Sequence, residues 1–180
     1  MAKYDITQDF LRSLFDYDPE TGVLTWKWRP RGLFDSDKGW RIANAKCAGK
    51  PTGCVSYSGY SQVNFFGKIV PAHRLIWLLV YGEWPDDVDH INGVKHDNRL
   101  CNLRNVSHAE NTRNASLRSD NRSGVSGVYL RENRRQWRAQ IGAVNLGTFD
   151  TFEEAVAART AAIEKHGFHK NHGRPRQAAE

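Results

Sequence analysis

The sequence predicts an α+β protein: a small strand–strand–helix finger supported by an N-terminal small sheet and helices, then a three-stranded antiparallel sheet packed on one helix. Three observations point there. Residues 88–111, VDHINGVKHDNRLCNLRNVSHAEN, hold two short strand-like runs and then a helix start. Residues 71–82 form an apolar stretch that opens on proline and closes on glycine. Residues 125–166 hold three short alternating runs ahead of an alanine-rich segment.

Each element has a local cause. Residues 5–15 fit an amphipathic helix, with Phe10, Leu11, Leu14 and Phe15 on one side and Thr7 able to cap its start. DPETG at 18–22 is a turn. Leu24, Trp26 and Trp28 then alternate with Thr25 and Lys27, the pattern of a half-buried strand. Residues 29–59 are rich in Gly, Lys and Ser and fit no element well. Residues 60–70 give two strand-like runs around Phe66-Gly67, and Pro71 then opens the apolar helix, where its missing N–H costs nothing. Core packing is the expected role of the N-terminal tryptophans. His73 and Arg74 have two open roles: His73 bracing a site and Arg74 reaching a phosphate, or both fixing the packing of the helix.

The finger is the chemically informative part. Residues 88–91 read as a strand, Asn92-Gly93 as a turn and residues 103–106 as a second strand. Ser107 and Glu110 match a capping box that starts a helix near 108, with Asn111 in its first turn. Asp89 offers a hard anionic oxygen and Asn111 a neutral carbonyl oxygen, a pairing suited to Mg²⁺ or Mn²⁺ more than Zn²⁺. His90 titrates near neutrality and can take a proton from an attacking water. Asn102 is expected to hold the loop, and so the imidazole, through backbone hydrogen bonds. One divalent ion beside one general base is what phosphodiester hydrolysis requires. Adjacent strand residues point to opposite faces, so a twist or strand end must bring Asp89 and His90 to one place.

Residues 71–114 resemble the HNH endonuclease family, in the form common among phage and intron-encoded homing enzymes. His73-Arg74, DHING, DNRLCNLR and the closing ENTRN carry the resemblance. It implies a ββα-metal finger, with His90 as general base, Asp89 and Asn111 as metal ligands and Asn102 as the middle asparagine. The last position is Asn rather than the His of many bacterial toxins, a known variant. No CxxC pairs flank the motif, which leaves the zinc-stapled subtype unsupported.

Composition is compatible with a nucleic-acid partner. The 180 residues carry a net charge of +6 and a pI near 9.4, with 39% hydrophobic residues and a mean hydropathy of −0.65. Seven arginines between 113 and 138 (Arg113, Arg118, Arg122, Arg131, Arg134, Arg135 and Arg138) face only Asp120 and Glu132. Residues 165–176 add four basic residues, three histidines and no acid. Cys47, Cys54 and Cys101 have no metal-type spacing. With no secretory signal read, they are expected to be free thiols in a reducing cytoplasm, that of a bacterial or phage-infected host cell. The longest apolar run is far too short to span a membrane.

The expected organisation is a domain at 1–115 with the finger at 87–115, a basic linker at 116–124, and a second domain at 125–180 with a basic tail. In the second, strands are expected at about 125–131, 136–142 and 144–149. Gln136, Arg138 and Gln140 fall on one face, with Trp137, Ala139 and Ile141 on the other. A Thr151–Glu154 capping box starts a helix to about 166, with Ala155, Ala158 and Ala162 allowing close packing. Residues 123–167 resemble the plant ethylene-response-factor (Apetala-type) DNA-binding domain, in the form appended to phage HNH enzymes. Gly127-Val128, Arg131, Trp137-Arg138-Ala139, Leu146-Gly147, Phe149 and Glu153-Glu154-Ala155 carry it, and Ser126 and Tyr129 stand where plant members have arginine. The resemblance implies duplex contact through Arg131, Arg134, Arg135 and Arg138. Trp137 stays open between DNA contact and core.

The expected function is metal-dependent hydrolysis of phosphodiester bonds in duplex DNA, leaving a 5′-phosphate and a 3′-hydroxyl, by a site-specific homing-type or phage nicking enzyme. A monomer would nick and a homodimer could cut both strands. Two alternatives stand beside it: a DNA-binding regulatory protein with a non-catalytic HNH fold, and an RNA-directed nuclease.

Overall fold

A computed structural model describes residues 6–113, 117, 120–131, 135–168 and 173, with Arg113 and Glu164 as backbone only. It is a mixed α+β chain with four small antiparallel sheets and five α-helices among the described residues. The chain falls into two compact units, 1–106 and 107–180. The expected linker at 116–124 lies within the second unit.

In the first unit, α1 (Gln8–Leu14) is capped by Thr7, whose hydroxyl accepts from Phe10 N at 3.2 Å. Phe15 was expected to continue this helix. It instead takes extended backbone and opens β1 (Phe15–Asp18), paired antiparallel with β2 (Val23–Trp26) in the register Phe15↔Trp26. Leu24 and Trp26 are buried as their alternation predicts. Trp28 departs from it: β2 stops at Trp26, and Trp28 is 61% exposed.

The segment without an expected element contains α2 (Asp37–Cys47), capped by Ser36 on Gly39 N. Asn44 on its inner face is 1% exposed and pairs with the Arg29 backbone, accepting from its N and donating to its O at 3.0 Å each. The next sheet runs β3 (Cys54–Val55), β4 (Ser61–Phe65), β5 (Lys68–Pro71), with Phe66 and Gly67 both at positive φ in the tight turn. Then α3 (Ala72–Tyr81) runs from Pro71 to a left-handed Gly82. Leu75, Ile76 and Leu78 of α3 join Leu11, Leu14, Phe15, Val63, Phe65, Val88 and Leu103 in one apolar core. Two further strands, β6 (Asp87–His90) and β7 (Leu103–Val106), form a hairpin on that core.

The second unit opens with α4 (His108–Arg113), where Ser107 and Glu110 exchange the expected capping-box bonds. Its sheet has the order β10 (Val144–Phe149), β9 (Gln136–Ile141), β8 (Val128–Arg131). The first strand begins three residues later than expected, because Gly127 stands at φ +76 against Gln140 O, where a Cβ would sit 2.2 Å away. Helix α5 (Phe152–Lys165) packs on the sheet around Val128, Ala139 and Ala155. Among the described residues, no helix is long and apolar enough to cross a membrane.

Candidate active site

The β6–β7 hairpin places the expected site residues through its register. Asp89 stands opposite Arg104, and His90, the last residue of β6, stands opposite Leu103. Asp89 and His90 therefore head toward opposite faces at a strand end. Both are buried, at 9% and 3% exposure.

On one face, Arg104 Nε donates to Asp89 Oδ2 at 3.1 Å and Nη2 reaches the same oxygen. Arg104 was not among the expected site residues. On the other face, His90 sits edge-on to His73 with ring centroids 5.1 Å apart, and Tyr60 leans on both imidazoles. Burial and the neighbouring His90 and Arg74 push His73 down to about 3, so it stays neutral. This position beside His90 is common to both roles open for His73, bracing the site and packing the helix against the hairpin. Arg74 points elsewhere: it clamps the next loop through Pro85 O and Asp86 O, each at 3.0 Å.

His90 is also held by a residue the sequence reading passed over. Its Nε2 lies 3.1 Å from Asn98 Oδ1, and Asn98 is 4% exposed. With Asn98 Oδ1 facing Nε2, and an amide oxygen able only to accept, this pairing calls for the tautomer with its hydrogen on Nε2. That is the tautomer a base acting through Nδ1 needs.

The loop between the strands is tied to itself by side chains. Asn102 Oδ1 accepts from Asn92 N at 2.8 Å, and its Nδ2 donates to Asp97 O at 2.7 Å, so Asn102 joins both arms of the loop. These are the backbone bonds expected of it. Asp97 accepts from Asn92 Nδ2 and from Arg99 Nε and Nη2, and the Arg99 bonds hold its carboxyl at about 2. Gly93 turns the chain at φ +80.

A second brace comes from the β1–β2 hairpin. Tyr17 Oη donates to Asn98 O at 2.8 Å, and burial pushes its phenol well up, so it keeps the proton. Leu100 N bonds Pro19 O at 3.1 Å. Gly22, at φ +74, lies so close that a Cβ would come within 2.5 Å of Arg99 N. The DPETG turn, read only as a turn, is the rear support of Asn98.

Residues 70–113 match the family model of HNH endonucleases. The HNH segment thus spans β5, α3, the β6–β7 hairpin and α4, and ends before the C-terminal sheet. Protein 3.8 of Escherichia phage T7 is 29% identical over 108 residues, covering 57% of this chain and 89% of that protein. No solved structure matches.

The remaining expected residues lie outside the hairpin. Asn111 stands on α4, in the second unit. Arg122, Arg131 and Arg135 are exposed, and Arg135 occupies the β8–β9 turn at φ +54. Arg138 bonds Asn145 Oδ1 at 3.2 Å and lies over the Tyr129 ring. Trp137 packs against Phe152 of α5 at 4.8 Å and borders the core, so its packing favours the core role over the DNA contact. Arg118, Arg134, the Arg113 side chain and most of the basic tail lie outside the described residues.

Among the described residues, no group of three or more His, Cys, Asp or Glu side chains is arranged to hold a metal. An Asp carboxylate and an Asn amide oxygen are by chemistry hard donors, of the kind a divalent ion takes alongside water and phosphate. Cys47, Cys54 and Cys101 are free thiols.

Proposed function

We propose that this protein is a metal-dependent DNA endonuclease of the HNH type whose ββα-metal site is built on residues 87–115. The observation that carries the reading is His90, buried at the end of β6 with its Nε2 fixed by Asn98, inside the segment that matches HNH endonucleases. His90 acts as general base through Nδ1, and Asn102 keeps the loop in shape. Asp89 and Asn111 would hold one Mg²⁺ or Mn²⁺ ion, which when bound neutralises charge on the phosphate and the leaving oxygen.

The nuclease domain extends over 1–115, a basic linker follows at 116–124, and the Apetala-type module at 125–180 docks duplex DNA. Arg113, Arg118, Arg122, Arg131, Arg134, Arg135 and Arg138 supply phosphate or base contacts. The role is that of a homing-type or phage nicking enzyme in the bacterial cytoplasm, acting as a monomer or homodimer.

Supercoiled-plasmid cleavage with Mg²⁺ or Mn²⁺, with and without EDTA, tests the reading. Wild type should yield open circles only with metal, and His90→Ala should lose roughly 10²–10⁴-fold in rate while binding DNA as before. Equal cutting by the variant would remove His90 from its role. The Arg104–Asp89 ion pair favours a second reading, a DNA-binding protein with a non-catalytic HNH fold, because the carboxylate is already neutralised. Metal-independent binding with no cleavage of any target library would select that reading.

A further inference from the structure

We infer that the outward face of α2, with Trp28 beside it, is a second docking surface, on the nuclease unit itself, for the phosphate backbone of duplex DNA. This rests on the duplex-DNA reading above and adds a surface that reading does not contain.

Charge in the first unit is segregated. Residues 27–50 carry seven Lys and Arg against two Asp, whereas the rest of 1–106 carries seven against ten. One of the two acids, Asp37, is neutralised internally by Arg31. Arg29 is likewise engaged, bonding Ala43 O and lying over the Trp26 and Phe34 rings.

What remains outward is a row. Trp40 and Asn44 turn inward, each bonded to Arg29 O. Lys38, Arg41, Ile42 and Lys46 are exposed on the opposite side of α2, Ile42 at 56%. The side chains of Lys38, Arg41 and Lys46 bond to no other described residue. Their span is about 12 Å along the helix, which matches roughly three or four phosphates of one strand at about 3.4 Å of axis each. Trp28 stands edge-on to Trp40 at 6.0 Å and stays 61% exposed, an apolar rim for the sugar edge. A single-stranded ligand would call for a series of stacking rings. Residues 27–50 offer one strongly exposed ring and a rigid line of cations, which favours the duplex backbone.

The test uses the full chain, a short duplex and EDTA, with binding followed by fluorescence anisotropy across a salt series. The triple variant Lys38→Gln, Arg41→Gln, Lys46→Gln should keep the wild-type circular dichroism, because all three side chains are exposed. Its log affinity against log salt should be shallower by about 2–3, with affinity reduced at least roughly tenfold at low salt. Arg12→Gln with Lys68→Gln, exposed cations in the acid-rich remainder, should leave the slope near wild type. A triple variant with the wild-type slope overturns the α2 face and leaves the nuclease reading standing. A control pair that loses as much overturns it too, since bulk charge then explains the effect. Wild-type preference for single-stranded DNA or RNA overturns the duplex as occupant. Failure of wild type to bind any nucleic acid overturns both readings.

Discussion

The loop of residues 91–102 and the C-terminal sheet solve opposite problems. The loop has little apolar content and is held by directed bonds: Asn102 across its arms, Arg99 on Asp97, and Asn98 against His90. The sheet is held by a small core of Val128, Ala139 and Ala155 under α5; Arg131 and Arg135 stand exposed at a strand end and a turn, and Arg138 lies half-buried on the central strand. In its proposed role as general base, His90 has to sit within a fraction of an ångström of its place, which suits surroundings specified atom by atom. In its proposed docking role the sheet needs charge only in roughly the right region. The first region should therefore be sensitive to single atoms and the second only to charge.

Gly22→Ala is the strongest way to break the comparison from a distance. Its methyl would meet the Asn98–Arg99 backbone at a residue already at positive φ. A loss of about 2–4 kcal/mol is expected, read by chemical denaturation, with cleavage falling because Asn98 moves. Unchanged stability would show that the hairpin yields easily and does not brace the loop. Asn98→Ala comes next. It strands the buried Nε2–H of His90 at a cost of about 1–3 kcal/mol and releases the ring from its tautomer. Cleavage should slow roughly 10–100-fold with DNA affinity kept, and Asn98→Gln should recover less than half of the loss. An unchanged rate for Asn98→Ala would remove Asn98 from the site. The smallest effect is expected in the second unit: Arg131→Gln with Arg138→Gln should flatten the salt slope by about 2 and leave single-turnover cutting at saturating protein unchanged. A large loss of cutting there would erase the contrast between the two regions.

Much of this was legible because it is local. The capping boxes at Ser107 and Thr151, the helix between Pro71 and Gly82, and the strand Leu103–Val106 follow from residues within a turn of one another. What escaped is non-local or polar. Helix α2 has Gly39 within it and buries Asn44 rather than an apolar stripe, so periodicity does not reveal it. Phe15 reads equally well at a helix end, and only its pairing with Trp26 makes it a strand. Trp28 fits the alternation of β2 but lies beyond its last hydrogen-bonded residue. Arg104 and Asn98 belong to the site through strand register and loop folding, Arg104 fifteen positions from Asp89 and Asn98 eight from His90, which no short-range rule supplies. Their signals were present, in the DNR and NLR triplets, but pointed to no partner.

The DPETG turn sets a boundary that family matching does not. The match begins at residue 70, yet Tyr17, Pro19 and Gly22 press on residues 98–100 from behind. A minimal nuclease trimmed to the matched segment would keep every residue of the motif and lose the wall that Asn98 leans on. Anyone shortening this chain, or grafting its finger onto another scaffold, would have to carry the N-terminal hairpin along.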